Sequence, residues 1–317
     1  MIIRLLSISI FISSVFAQPL QLEDGDVVAF IGGTDLVRIQ KEGELEAAIT
    51  HRFRDLNIKF RDLAWEGDTV DFQSTVRERW RKEAFGDLNQ QLKRVGANVI
   101  ICQFGKIESL EGKNGLNEFL EKYDSLIDLL KSDNRKLVIL SPFDFEWNSA
   151  NDRYLVLYRD EIASLAEKKG VPFVKGNFIE KLGEQPPEDL VLSVKEKHRL
   201  WYDYWRPANW KCLFGDDSKR IFSNAAEGLP SFKEEWQLFP KLISNAEANI
   251  RQGLKNTPLP SPKRTGSREA NIKKELDSFD VIEGFEVNLF ADERHGIANP
   301  LSVRWDAQGR MFVACSD

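Results

Sequence analysis

The sequence predicts an α/β domain in which a mostly parallel sheet carries helices on both faces. Three observations lead there. Short apolar runs of strand length recur at Val27–Ile31, Ile58–Trp65, Asn98–Phe104, Lys136–Leu140 and Val171–Val174. Longer stretches with apolar residues at helical spacing separate them. The first run ends in the tight turn Gly32-Gly33, and the hydroxyl of Thr34 follows at once. Alternating strands and helices of these lengths form a parallel sheet, because each helix returns the chain to the same edge.

The elements follow in order. Val27 to Ile31 reads as a buried strand. Glu42 to Arg54 reads as one amphipathic helix, with Leu45, Ala48, Ile49 and Phe53 on a face. Ile58 to Trp65 is the second strand. Thr75 to Arg94 is a charged helical stretch, broken near Phe85-Gly86-Asp87. Asn98 to Phe104 is the third strand, with β-branched residues on both faces. Leu116 to Leu130 is a helix, with Leu116, Phe119, Leu120, Tyr123, Ile127 and Leu130 at helical spacing. Lys136 to Leu140 is the fourth strand, closed by Ser141-Pro142. Asp152 to Lys169 is a helix ended by Gly170, and Val171 to Val174 is the fifth strand.

The pattern changes near Gly183. Residues 183–252 form an extension rich in Trp, Phe and Lys that reads as helical, without strands. Residues 253–275 form a linker that opens on a Pro/Ser/Lys stretch. Beyond it, Phe285–Phe290, Leu301–Asp306 and Met311–Ala314 alternate as three short strands, with a turn at Asp306–Arg310. Three short strands cannot bury a core alone. The segment 276–317 is therefore expected to be one piece of a larger unit.

At the amino end, Arg4 precedes the apolar run Leu5–Phe16, and Val15-Phe16-Ala17 makes a small-residue cleavage pattern. The run is too short to span a bilayer. The expectation is a signal peptide, residues 1–17, and a secreted or periplasmic protein; the alternative is an uncleaved amino-terminal anchor. No later run is long enough for a stable membrane span. The formal net charge of -6 argues against a nucleic-acid partner, which needs a basic face. Cys102, Cys212 and Cys315 make no disulfide framework, and Cys102 reads as a buried thiol in a strand. The three His, at 51, 198 and 295, are far apart in sequence, which argues against a zinc site built on His or Cys. No metal or cofactor is expected, and the absent G-x-G-x-x-G argues against a dinucleotide.

Over residues 24 to about 182 the blocks resemble the SGNH (GDSL-type) hydrolase superfamily. Phe30-Ile31-Gly32-Gly33-Thr34 stands at the first block, and Leu63-Ala64-Trp65-Glu66-Gly67-Asp68-Thr69 at the second. Phe104-Gly105-Lys106-Ile107-Glu108-Ser109 stands at the third, and Leu140-Ser141-Pro142 where the family has its fourth strand. The whole chain is similar to the amino-terminal part of large secreted proteins of planctomycete and verrucomicrobial type. In those, an SGNH-like domain precedes a sorbosone-dehydrogenase-like β-propeller and often a c-type haem domain. Trp205-Arg206-Pro207-Ala208-Asn209 resembles their helical segment after the domain. Phe285 to Ser316, with Gly296-Ile297-Ala298-Asn299-Pro300, resembles the first propeller blade.

The resemblance implies a three-layer α/β/α flavodoxin-like fold and an ester hydrolase acting on acylated carbohydrate. It implies a nucleophilic hydroxyl activated by His and oriented by Asp. It also implies an oxyanion hole made by the nucleophile's amide, a Gly amide and an Asn side chain. Thr34 stands at the nucleophile position, where Ser is expected, and its extra methyl crowds attack and stiffens χ1. Gly67 stands at the second donor. Ile107 stands at the Asn position and cannot donate from its side chain; such a loss typically costs about 100- to 1000-fold in rate.

No Asp-x-x-His lies between Gly176 and Leu200, and Glu188-Asp189 has no His three residues on. His198, within Val194–Leu200, is either the base or a surface or partly packed residue of a charged helix. His51 lies at a helix end and His295 beyond the linker. Asp35, Glu66, Asp68 and Glu108, near Gly105, either gather as an acidic rim for a cation or sugar hydroxyls, or are solvated loop carboxylates. Trp201, Tyr202, Tyr204, Trp205 and Trp210 either stack on sugar rings or pack the helical extension. Arg206 reads as a structural anchor. Two classes stay open: an esterase-type hydrolase with an altered, impaired site, and a non-catalytic module that binds glycan or docks the propeller.

Overall fold

A computed structural model describes residues 20–71, 79–145, 152–183, 185–207, 210–214, 232–254, 276–291, 297 and 300–315. The expected signal peptide, residues 1–17, and most of the expected linker, residues 253–275, lie outside the described residues. The first unit, residues 1–261, holds a five-stranded parallel sheet. Its strands are β1 (Val27–Gly32), β2 (Lys59–Asp62), β3 (Val99–Gln103), β4 (Lys136–Leu140) and β5 (Phe173–Val174), in the order β2-β1-β3-β4-β5. This is a doubly wound order, and it reverses between β1 and β3, where Gly32 pairs with Gln103. Ligands in such sheets bind outside the carboxyl ends at that reversal.

β1, β3 and β4 are buried on both faces, as parallel strands covered by helices must be. Val28 and Phe30 enter one core with Leu36, Leu45 and Ile49. Ala29 and Ile31 enter the other with Leu92, Ile100 and Tyr123. Cys102 lies in that second core, with Sγ 3.5 Å from the Tyr123 hydroxyl, and burial pushes its thiol up to about 12.

The helices are α1 (Thr34–Glu42), α2 (Glu44–Arg52), α3 (Arg79–Phe85), α4 (Leu88–Val95), α5 (Gly112–Lys131), α6 (Asp152–Lys168) and α7 (Phe178–Leu182). The helix expected over Glu42–Arg54 forms as α2, and α1 precedes it where no helix was predicted. Gly43, at φ +76°, separates the two, and a Cβ there would meet the Val191 carbonyl at 2.9 Å. The predicted break at Phe85-Gly86-Asp87 falls between α3 and α4. Asp87 caps α4: its Oδ1 accepts from the Gln90 amide, and Gln90 Oε1 accepts from the Asp87 amide, both at 2.9 Å.

The helical extension follows as α8 (Glu188–Trp205), α9 (Trp210–Leu213) and α10 (Phe232–Leu254). Trp201 and Trp205 are buried and stack on one another at 5.3 Å. Trp205 also stacks on Phe85 at 4.1 Å, and Tyr204 on Trp236 at 4.8 Å. This favours packing over sugar stacking for these residues; the side chain of Trp210 lies outside the described ones. Among the described residues, no helix is long and apolar enough to cross a membrane.

The second unit, residues 262–317, contains the antiparallel hairpin β6 (Pro300–Trp305) and β7 (Met311–Cys315). Asp306 Oδ1 closes the turn by accepting the amides of Gln308 and Arg310 at 3.0 and 2.9 Å. The strand expected over Phe285–Phe290 does not form. Alternation alone does not make a strand; a ladder partner must supply the hydrogen bonds. Phe285 and Phe290 stay 76% and 78% exposed. In hydrogen exchange on this chain, β6 and β7 are expected to exchange much faster than β3, since an isolated hairpin is marginal. Protection in β7 equal to that of Val99–Gln103 would contradict this.

Candidate functional site at the carboxyl edge of the sheet

Gly32 ends β1 against β3. A Cβ there would stand 2.6 Å from the Gln103 carbonyl, so only glycine permits this approach. The chain then turns straight into α1, which places Thr34 at the helix start, exposed at the sheet edge. Thr34 Oγ1 accepts the Gly67 amide at 3.0 Å. Glu108 joins two loops: Oε2 accepts the Gly105 amide at 2.9 Å and Oε1 the Val70 amide at 3.1 Å. Burial raises the Glu108 pKa, and these amide bonds only partly offset it.

A cavity of about 350 Å³ opens here. Phe104, Ile107, Leu110, Pro142 and Phe145 give it apolar walls, and Thr34, Asp35, Gln103 and Lys106 give polar points. Lys106 Nζ lies 2.9 Å from Asp35 Oδ1 and 5.4 Å over the Phe145 ring. Gln103 Nε2 donates to the Ser141 carbonyl at 2.9 Å. Asp68, buried, lies 3.3 Å from Arg81, which also donates to the Leu63 carbonyl at 3.2 Å. Thr34, Asp35, Asp68, Gly105 and Glu108 thus border one cavity, and Gly67 reaches it through Thr34.

Glu66 and His198 are not among the residues lining it. Glu66 binds the Tyr202 hydroxyl, and lies 3.2 Å from both Lys41 and Arg206. Partial burial would raise its carboxyl, but the Tyr202 bond and Arg206 hold it below the usual range. Arg206 also lies over Trp65 at 4.8 Å and Tyr202 at 4.2 Å, so it anchors the loop that carries Gly67. His198 is neither a base beside Thr34 nor a surface residue. It is 4% exposed, and its Nε2 lies 2.9 Å from Glu46 Oε2. Lys197, 1% exposed, holds both Glu46 oxygens at 2.5 Å. His51 lines a separate cavity, and His295 lies outside the described residues.

The acidic rim does not form as an open carboxylate cluster. Asp35 faces Lys106, Asp68 faces Arg81, Glu108 takes two amides, and Glu66 turns to the helical extension. Among the described residues, no group of three or more His, Cys, Asp or Glu is placed to hold a metal ion. Sequence reasoning missed Lys106, Gln103, Phe145 and Arg81. Lys106 stood inside the third block, but its partner Asp35 is 71 residues away.

A hydroxyl near neutral pH attacks only when a base takes its proton. Among the described residues, no imidazole lines the cavity. The Gly67 amide, the expected oxyanion donor, points at the Thr34 hydroxyl. Ile107, 38% exposed, offers hydrocarbon where a side-chain donor is expected.

A family model described as "Domain of unknown function (DUF7133)" matches residues 271–317. No curated protein matches the chain. Among solved structures, an acetylxylan esterase from Geobacillus stearothermophilus is 14% identical, covering 72% of this chain and 96% of its own, with a TM-score of 0.38. The acetyl xylan esterase AlAXEase is 15% identical over 47% of this chain and 76% of its own, with a TM-score of 0.37. The psychrotrophic esterase EstA from Pseudoalteromonas sp. is 12% identical over 73% and 100%, with a TM-score of 0.37. Identities this low say nothing about chemistry.

Proposed function

We propose that residues 24–182 are a hydrolase-type module of SGNH kind whose acyl-transfer chemistry is disabled and whose cavity is kept for binding. One observation carries this reading: Thr34 Oγ1 is engaged by the Gly67 amide, while the imidazole of His198 is committed to buried Glu46. The hydroxyl expected as nucleophile stands in the α/β module, and the imidazole expected as base stands on α8 of the helical extension. The cavity itself is intact. Its apolar wall suits an acyl group, and Thr34, Asp35, Lys106 and Gln103 offer hydrogen bonds to sugar hydroxyls. An acylated carbohydrate combines both. We further read residues 1–17 as an export signal and residues 276–317 as the opening strands of a β-propeller. The exposed apolar side chains of the second unit support the latter.

Calorimetry with acetylated xylo-oligosaccharides tests the binding reading. The chain is expected to bind the acetylated ligand in preference to the deacetylated one. Ile107→Arg, which puts bulk and charge at an exposed wall position, is expected to weaken binding about tenfold or more. Equal affinity for both ligands, or binding untouched by Ile107→Arg, would count against it.

A further inference from the structure

A second cavity, of about 550 Å³, lies between the carboxyl ends of α2 and α7. His51, Arg52, Arg54, Asp55 and Lys181 line it, and Leu182 is its one large apolar side chain. The loop that supplies Arg54 and Asp55 runs on to Asn57, whose carbonyl accepts the Gly25 amide just before β1. That is the amino edge of the sheet, whereas Thr34 stands at the carboxyl edge. The two cavities share no lining residue.

Several cations elsewhere in the first unit are paired, Lys106 with Asp35, Lys136 with Glu23, Arg159 with Asp144, Lys169 with Asp128 and Lys195 with Glu42, while Lys59, Lys113, Lys168 and Lys241 stand dispersed without an ion pair among the described residues. Arg52, Arg54 and Lys181 make no ion pair among the described residues; Arg52 lies over the Phe53 ring. Among the described residues lining it, three permanent positive charges therefore share a concave surface with one carboxylate, in a chain of net charge -6. The helix ends explain part of this, since cations are favoured where helix carbonyls end. Each end supplies only about half a negative charge, so a cationic excess remains. Arg54 lies beyond the end of α2 and owes its place to neither helix.

We infer that this cavity binds a small hydroxylated anion: a saccharide carrying a phosphate, sulfate or carboxylate group. Arginine forks suit all three groups. The volume exceeds what a lone inorganic anion fills, and falls in the range of small-molecule sites. The mainly polar lining favours a hydroxylated body over a lipid or aryl one, which sets this ligand apart from an acyl group in the first cavity.

The test is calorimetry on the whole chain with glucose 6-phosphate, glucose 6-sulfate, glucuronate and glucose, at low and at higher salt. At least one anionic sugar is expected to bind, glucose is not, and affinity should fall as salt rises. The anion that binds best identifies the group recognised. Arg52→Gln/Arg54→Gln should weaken binding about tenfold or more, and Lys181→Gln, on the other helix, should weaken it as well. Lys122→Gln, which removes a cation elsewhere on the surface, should change nothing. All substituted side chains are exposed or half-exposed, and an unchanged melting curve reports an intact fold. Binding of glucose as tight as that of the anions, no binding of any of them, or binding indifferent to Arg52, Arg54 and Lys181 would overturn the inference.

Discussion

Glu46→Ala is expected to destabilise the domain by about 3–5 kcal/mol, the range for removing one partner of a buried ion pair. Glu46 sits on α2 and faces Lys197 and His198 on α8, and all three are buried. Without the carboxylate, the Lys197 ammonium remains in the interior uncompensated. Burial alone would raise the Glu46 pKa, but Lys197 and His198 bring it down from its ordinary 4.5 to about 2. A depressed carboxyl pKa contributes stability above the unfolded value and loses it as pH falls through the folded value. The loss attributable to Glu46 therefore runs from about pH 4.5 down to about pH 2. Urea unfolding at neutral and at acid pH measures both effects. The gap between the parent chain and Glu46→Ala should be widest at neutral pH and narrow as pH falls through that window. Glu46→Leu/Lys197→Met should recover much of the loss, because an apolar pair removes both charges together. A gap that stays constant with pH would show that Glu46 acts through packing alone.

Trp205→Ala is expected to cost about 3–5 kcal/mol, as for other buried aromatic truncations. Trp205 lies at the centre of the contact between the α/β layers and the helical extension, against Phe85 and Trp201. Its Nε1 is buried with no hydrogen-bond partner among the described residues. Trp205→Phe removes that unsatisfied donor along with some apolar area, and these changes oppose one another. It should therefore fall within about 1.5 kcal/mol of the parent. If Trp205→Phe proved as damaging as Trp205→Ala, the indole N–H would have a partner in solution. Denaturant midpoints of the two variants decide this.

Sheet and site differed in how far they could be read from sequence. β4 falls on Lys136–Leu140 as predicted, because a continuous apolar run there is bounded by Arg135 and Ser141-Pro142. The alternation of strands with helices implied that the strands run parallel, but not their order β2-β1-β3-β4-β5. α1 was not foreseen as a separate helix, since its nine residues carry only Leu36, Val37 and Gln40 inward and Gly43 redirects the chain. α7, of five residues, is too short to show a period. The approach of Thr34 to Gly67 followed from block order, whereas the Lys106–Asp35 pair depends on two loops meeting across the sheet edge.

His198 was legible but was misread. Val194, His198, Trp201 and Trp205 follow the four-three-four spacing of a buried helix face, as do Leu190, Val194, Lys197 and Trp201. The surrounding charges suggested an exposed helix, whereas Glu46, 151 residues before Lys197, holds two basic residues inside.

The central claim is that Thr34 lacks the partners that would make it a nucleophile. Hydrolysis of p-nitrophenyl acetate by the purified chain, beside Thr34→Ala, tests it most directly. Thr34 is exposed, so the substitution reports chemistry rather than folding. Turnover is expected to stay within about tenfold of buffer and to be unchanged in Thr34→Ala, since among the described residues neither a base nor a complete oxyanion site serves the hydroxyl. Robust turnover of the parent chain that disappears in Thr34→Ala would contradict the account and restore a working threonine hydrolase.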